Sequence, residues 1–281
     1  MRKYRENSMK FLFWLSTCTS IVAVALICIF LFTGGLPAFK EIGITDFIFG
    51  QEWRPSNNIY GIFPMIVGSI YVTIGAIIVG VPTGILCAVF MARFCPKKLY
   101  KILKPLIELL AGIPSIVYGF FGLVVLVPII QNLFGGGKGV LVASILLGIM
   151  ILPTIIGVSE SAISSVSESY YEGALALGAT HERSVFCAVL PAAKSGIFAA
   201  VILGIGRAIG EAMAVIMVAG NQAIIPKDIF SGVRTLTANI VLEMGYATDL
   251  HRDALIATAV VLFAFILIIN LTFSIMKRRQ K

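Results

Sequence analysis

The sequence predicts an all-α integral membrane protein with six transmembrane helices, and three observations carry that expectation. Only 13% of the 281 residues are charged while 58% are hydrophobic, at a mean hydropathy of +0.98. A soluble domain carries about 25% charged residues and needs them for its surface. Apolar runs of about 20 residues, each enough to cross about 30 Å of hydrocarbon, recur along the chain. Lys and Arg collect in alternate loops, as they do on the inner side of a membrane.

The elements follow in order. Helix one is expected over 11–33. Arg2, Lys3, Arg5 and Lys10 before it could open a signal peptide, but the run is too long and no small-residue cleavage site follows. Helix two, 64–92, closes an uncharged stretch from Pro55 to Ala92 and contains Pro82, tolerated in lipid where neighbours satisfy the freed carbonyl. Helix three, 106–134, runs up to Gly135, Gly136 and Gly137, and helix four spans 139–160. After a loop over 161–194 come helix five, 195–222, interrupted by two charges, and helix six, 253–276. The spans use most of the chain, so 1–281 reads as a single transmembrane domain.

With the amino terminus inside, fifteen of the 22 Lys and Arg lie on the inner face, from Arg2 through the Arg93–Lys104 cluster to Lys281. Six, namely Lys40, Arg54, Lys138, Lys227, Arg234 and Arg252, lie outside, and Arg207 is within a span. Both termini are therefore expected in the cytoplasm. The formal net charge of +8 reports this topology and is no sign of nucleic-acid binding.

Composition excludes other classes. Five cysteines without a CxxC pair are too sparse for a disulfide scaffold and read as small buried hydrophobes, with no metal or cofactor held by this chain. Gly204, Gly206 and Gly210 have GxGxxxG spacing within a membrane span, which is no dinucleotide fingerprint, and no GxxxxGK[ST] loop for ATP occurs. The Gly80/Gly84 and Gly206/Gly210 pairs instead predict close helix packing. His181 and His251 lie at predicted membrane surfaces, which leaves no Ser/His or metal constellation for an intramembrane enzyme.

Two constellations remain. In the inner loop, Ser169 and Glu172 have capping-box spacing, which predicts a helix start, and Gly178 can supply the left-handed residue that stops it. A second short helix is expected from about Thr180 to before Pro191. Physics alone allows an interfacial packing element or a docking element for a partner. In helix five, Arg207 and Glu211 stand at i and i+4, on one face, where they can pair. An arginine in mid-bilayer costs about 2.5–3.5 kcal/mol even on the lenient scale, so it faces protein or water. Such a pair is either a buried structural bridge or part of a substrate pathway. Glu108 and Asn221 are weaker pathway candidates.

The loop resembles a known family. Glu172-Gly173-Ala174, three residues, Gly178, nine residues, then Ala188-Val189-Leu190-Pro191 is similar to the EAA loop of ABC-importer permeases, Glu-Ala-Ala-x3-Gly-x9-Ile-x-Leu-Pro. Gly173 and Ala188 are small departures from that consensus. The resemblance implies a type I importer architecture in which Glu172, Gly173, Ala174, Gly178, Leu190 and Pro191 form a coupling element against a separate ATPase subunit. Further segments narrow it. Gly206-Arg207-Ala-Ile-Gly210-Glu211 with Val218-Ala-Gly220-Asn221, the stretch Ile107 to Gly119, Met150 to Thr154 and Phe49 to Pro55 resemble the phosphate-specific permeases of the PstC type. Ala212 stands where threonine is common there.

The resemblance implies a sister permease, two ATPase subunits that bind ATP and magnesium, an extracytoplasmic phosphate-binding protein, and inorganic phosphate as cargo. The pair suits that cargo chemically. A guanidinium binds an oxyanion in bidentate fashion at any pH, and a carboxylate accepts a hydrogen bond from a P–OH group that sulfate lacks. A sulfate or molybdate permease, or the sister phosphate subunit (PstA type), are the alternative expectations.

Overall fold

The computed structural model describes residues 2–278; Arg279 and Lys281 of the expected inner charge cluster lie outside the described residues. Helices account for most of it. α1 (Arg2–Ile42) leads into a short α2 (Ile44–Phe49) and a small antiparallel ribbon, β1 (Trp53–Arg54) with β2 (Ile59–Tyr60), in which Trp53 pairs with Tyr60. Next come α3 (Phe63–Val89), α4 (Lys97–Gly112), α5 (Ser115–Phe121), α6 (Val127–Phe134) and α7 (Val140–Ser164). The loop beyond holds α8 (Glu168–Ala176) and α9 (His181–Ser184). α10 (Leu190–Gly210), α11 (Met213–Val218), α12 (Leu236–Glu243) and α13 (Asp249–Arg278) complete the chain.

Six helical stretches are long and apolar enough to span a membrane: Met9–Ile42, Phe63–Phe94, Ser115–Phe134, Val140–Ser164, His181–Gly210 and Asp249–Thr272. The number is the expected six, but the third stretch starts later than expected, at Ser115, and the fifth is shifted toward the amino terminus, His181–Gly210. α7 is the centre of the bundle. Leu146, Leu147, Met150, Ile151 and Ile155 are fully or almost fully buried, against α3 on one side and α10 on the other. The α3 seam is close because its glycines carry no Cβ. A Cβ at Gly75 would overlap the Ser144 side chain, and one at Gly80 would sit 2.8 Å from the Gly148 carbonyl oxygen. The expected Gly80/Gly84 packing is thus real. At Gly206 and Gly210 nothing outside the local helix backbone lies within 4 Å of where a Cβ would stand, so that pair makes no close approach to another element of the chain.

Three expectations need correction. Helix three breaks at Ile113 (φ −67°, ψ 127°), because the residue before Pro114 is pushed out of the helical region; α4 precedes the break and α5 follows it. Helix five also breaks: Gly210 ends α10, Glu211 is extended (φ −74°, ψ 126°), and α11 starts at Met213. Pro191, by contrast, ends nothing. A π-helical turn at Val185–Val189 leads into α10, the Leu190 N–H bonding back to the Val185 carbonyl. Pro191 follows, where the hydrogen-bond register returns from i−5 to i−4 and a missing N–H costs little. The same device, Gly122–Leu126, carries the chain past Pro128.

Candidate functional site

The two broken helices meet. α5 and α11, the short helices beyond the breaks, pack together so closely that a Cβ at Gly119 would lie 2.8 Å from Met217 Sδ and 3.0 Å from Ala214 Cα. Tyr118 on α5 donates its hydroxyl across the first break to the Leu110 carbonyl, at 2.8 Å. Arg207 occupies the last turn of α10 and is half-buried.

Glu211 does not pair with Arg207. The helix ends between them, and the Glu211 carboxylate turns instead to the next helix, where Oε1 accepts from the Ala214 N–H at 3.3 Å. It thereby satisfies one of the orphan donors at the start of α11. No carboxylate among the described residues makes an ion pair with Arg207. Glu108 is exposed on α4 and lines an open cavity of about 620 Å³ with Pro105, Gly112, Ile113 and Pro114, beside the first break. Asn221 is occupied in ending α11. At positive φ (55°) it donates Nδ2–H to the Ile216 carbonyl at 2.8 Å, while its Oδ1 is buried without a partner.

The sequence reading missed a second polar cluster next to this region. Glu243, at the end of α12, accepts from Arg234 Nη1 at 2.6 Å, Trp53 Nε1 at 2.8 Å and His251 Nε2 at 2.8 Å. Arg234 also donates to the Asn221 carbonyl and the Asn239 side chain, each at 3.0 Å. Thr237 on α12 donates to the Glu211 carbonyl at 3.0 Å, so the cluster reaches the second break. Residues 190 apart in sequence have no local pattern that would reveal them. A larger cavity of about 750 Å³ lies between α1, α2 and the ribbon, but Glu41, Asp46 and Glu52 line it and would repel an anion.

At the other end of the bundle, the 161–194 loop forms the expected helix, bend and helix. Ser167 rather than Ser169 precedes α8, and the two serine hydroxyls bond each other at 2.9 Å, so no capping box with Glu172 forms. Gly178 takes the left-handed conformation (φ 83°), its N–H bonding to the Leu175 carbonyl at 2.9 Å. Glu172, Gly173, Gly178 and Pro191 are exposed; Ala174 and Leu190 are half-buried. Leu177 is 91% exposed at the bend, which marks this face as uncovered. Inside the loop, Glu160 at the end of α7 is buried and bonds Lys104 Nζ at 2.5 Å and the Tyr100 hydroxyl at 3.1 Å. That hydrogen bond raises the Lys104 pKa above its ordinary value.

Comparison with known proteins agrees with this architecture. Residues 80–281 match the family described as the binding-protein-dependent transport system inner membrane component. The chain is 40% identical over 269 residues to a probable ABC transporter permease, YqgH, of Bacillus subtilis, covering 91% of this chain and 87% of that protein. It is 33% identical to the phosphate transport system permease protein PstC of Mesorhizobium japonicum, covering 89% and 83%. Among solved structures, a bacterial ABC transporter involved in import of the acidic polysaccharide alginate shares the fold at a TM-score of 0.66, with 16% identity and 99% of both chains covered. The MetNI methionine ABC transporter does so at 0.58, with 20% identity over 79% of this chain and 94% of that one. The chain therefore belongs to the binding-protein-dependent transport system inner membrane component family: it is a multi-pass, non-catalytic permease subunit of an ABC importer.

Proposed function

We propose that this chain forms half of the translocation pathway of an ATP-driven importer of inorganic phosphate, as a permease of the PstC type. Its partners are a sister permease, two ATPase subunits that bind ATP and magnesium, and an extracytoplasmic phosphate-binding protein. Both termini and the 161–194 loop face the cytoplasm, where α8 and the Gly178 bend dock on the ATPase.

The observation that carries the substrate is Arg207, a permanent cation at a helix break with no carboxylate paired to it among the described residues. Within a membrane such a charge needs water or an anion, and a guanidinium fork matches a phosphate oxyanion. Glu211 uses Oε1 to cap α11, which leaves Oε2 to accept from a protonated phosphate oxygen. Similarity to permeases named PstC supports the same cargo.

The test is phosphate uptake per assembled complex in proteoliposomes, with sulfate and molybdate as competitors. Hydrogen bonds to a charged group are worth about 1.5–3 kcal/mol, so Arg207→Gln should lower uptake by about 10- to 100-fold. Glu211→Gln should retain assembly and weaken the preference for phosphate over sulfate. Parental uptake by both variants would make the two residues structural, and uptake of sulfate or molybdate in place of phosphate would reassign the cargo.

A further inference from the structure

We propose that Arg93 is the positioning residue that joins the ATPase-facing helix α8 to α3, so that movement of α8 drives α3 as well as α10. The inference rests on the docking of the ATPase at α8 and goes beyond it, by naming the route from that surface into the bundle.

α8 has two faces. Tyr170, Leu175 and Leu177 are exposed, whereas Glu168 and Tyr171 turn toward Arg93. Chain continuity ties α8 to α7 through residues 165–167 and to α10 through Gly178 and α9. Its direct tie to α3 is made by side chains. α3 ends in a π-helical turn, Phe90–Phe94. The extra residue of such a turn rotates the residues after it by about 100° relative to an unbroken helix. The two residues at the end of that turn both grip the loop. Arg93 Nη1 donates to Glu168 Oε2 at 3.1 Å, Nη2 donates to the Ile163 carbonyl at 3.4 Å, and the guanidinium carbon lies 5.9 Å from the Tyr171 ring centre. One planar group thus bridges the last turn of α7, the first residue of α8 and a ring one turn along it. Phe94 meets the His181 ring edge to face at 4.7 Å, and His181 Nδ1 bonds the Tyr171 hydroxyl at 2.8 Å. Beneath them, Val89, Met91, Val185 and Val189 share one core cluster.

This arrangement suits transmission better than stability. The Arg93 side chain is 12% exposed but that of Glu168 is 58% exposed, and an ion pair open to water on one side contributes modestly to folding. Direction is what it supplies, because a guanidinium with acceptors on two helices cannot follow one without pulling the other. α3 then extends the displacement about 40 Å at 1.5 Å per residue. At its far end it is joined to α12, where Ser69 Oγ accepts from the Leu236 N–H at 3.0 Å.

The experiment uses the complete transporter in nanodiscs, with the five native cysteines replaced by alanine and a fluorophore on a single cysteine at Ser56. Ser56 is exposed in the turn between β1 and β2, just before α3. ATP should change the signal at Ser56 in the parental complex. In Arg93→Gln and in Glu168→Gln that change should fall at least threefold while ATP hydrolysis per complex stays within twofold. Arg93→Lys, which keeps the charge and loses the fork, should fall between parent and Arg93→Gln. A parental signal in both neutral variants, hydrolysis that drops in step with the signal, or no ATP-dependent signal in the parent each overturns the inference. If Arg93→Gln fails to assemble, Glu168→Gln carries the same reading. Loss of the docking premise shows separately, as a Leu177→Asp variant that still binds the ATPase normally.

Discussion

Replacing Glu243 with glutamine should loosen the ribbon end of the protein. The carboxylate is 8% accessible and accepts three hydrogen bonds, from Arg234, Trp53 and His251. Glutamine offers one oxygen and one NH2 group in that space, so at least one donor then faces another donor. Arg234 loses its counter-charge while remaining only 18% exposed. Breaking a buried pair by removing one partner costs about 3–5 kcal/mol. Arg234 keeps the Asn221 carbonyl and Asn239 as neutral acceptors, which puts the expected cost near the lower end, about 3 kcal/mol. A cost of that size raises the open population about 100-fold. Amide hydrogen exchange reads it locally. The Gly61 N–H bonds to the Glu52 carbonyl and the Ile62 N–H to the Phe47 carbonyl, so both report whether the ribbon is seated. Exchange in 50–62 and 236–250 should accelerate by about 100-fold while α7 is unchanged. Thr83→Val, on an exposed stretch of α3, should leave both segments as in the parent. An acceleration below about threefold in Glu243→Gln would refute the reasoning. It would mean that Phe47, Tyr60, Ile62 and Leu255 hold this end by apolar packing alone.

Three further outcomes are expected. Gly75→Val forces a branched side chain into the Ser144 position of the α3–α7 seam, and overpacking of this kind costs about 1–3 kcal/mol. The unfolding midpoint of the purified subunit should fall, whereas Gly206→Ala, in open space, should match the parent; equal midpoints would deny the seam its role. Gly178→Val places a β-branched residue at φ 83°, so ATPase stimulation should be lost while membrane insertion survives, and normal stimulation would remove the bend from the coupling element. An impermeant thiol reagent added to sealed cells should label Asn57→Cys and spare Thr180→Cys; the opposite pattern would invert the proposed orientation.

Much of this fold is legible because lipid imposes a length. Runs such as Val140–Ser164 are helical for want of any other way to satisfy their backbone. Gly178 is legible too, since a glycine placed just after a short amphipathic helix commonly supplies its left-handed stop. The breaks are less so. Pro82 and Pro153 lie within unbroken helices and Pro191 follows a π-turn, yet Pro114 marks a true interruption. The residue type is the same in all four, so proline by itself does not announce a break. Arg207 and Glu211 illustrate the limit at the candidate site. Their spacing fits an i, i+4 pair, but Glu211 gains more by capping α11, a choice that exists only once the chain has turned at Gly210. Arg93 and Glu168, like Trp53 and Glu243, lie far apart in sequence and meet only through the tertiary fold.

α1 leaves a different mark. No residue in its most apolar stretch is buried, and its close approach to α13 comes later, at Gly34 and Gly35. Its hydroxyl groups are quiet nonetheless: Ser16, Thr17, Thr19 and Ser20 each bond the carbonyl four residues back. With those groups satisfied internally, lipid meets nothing it would expel. The same helix can therefore lie against lipid or against another helix without leaving a hydroxyl donor unpaired.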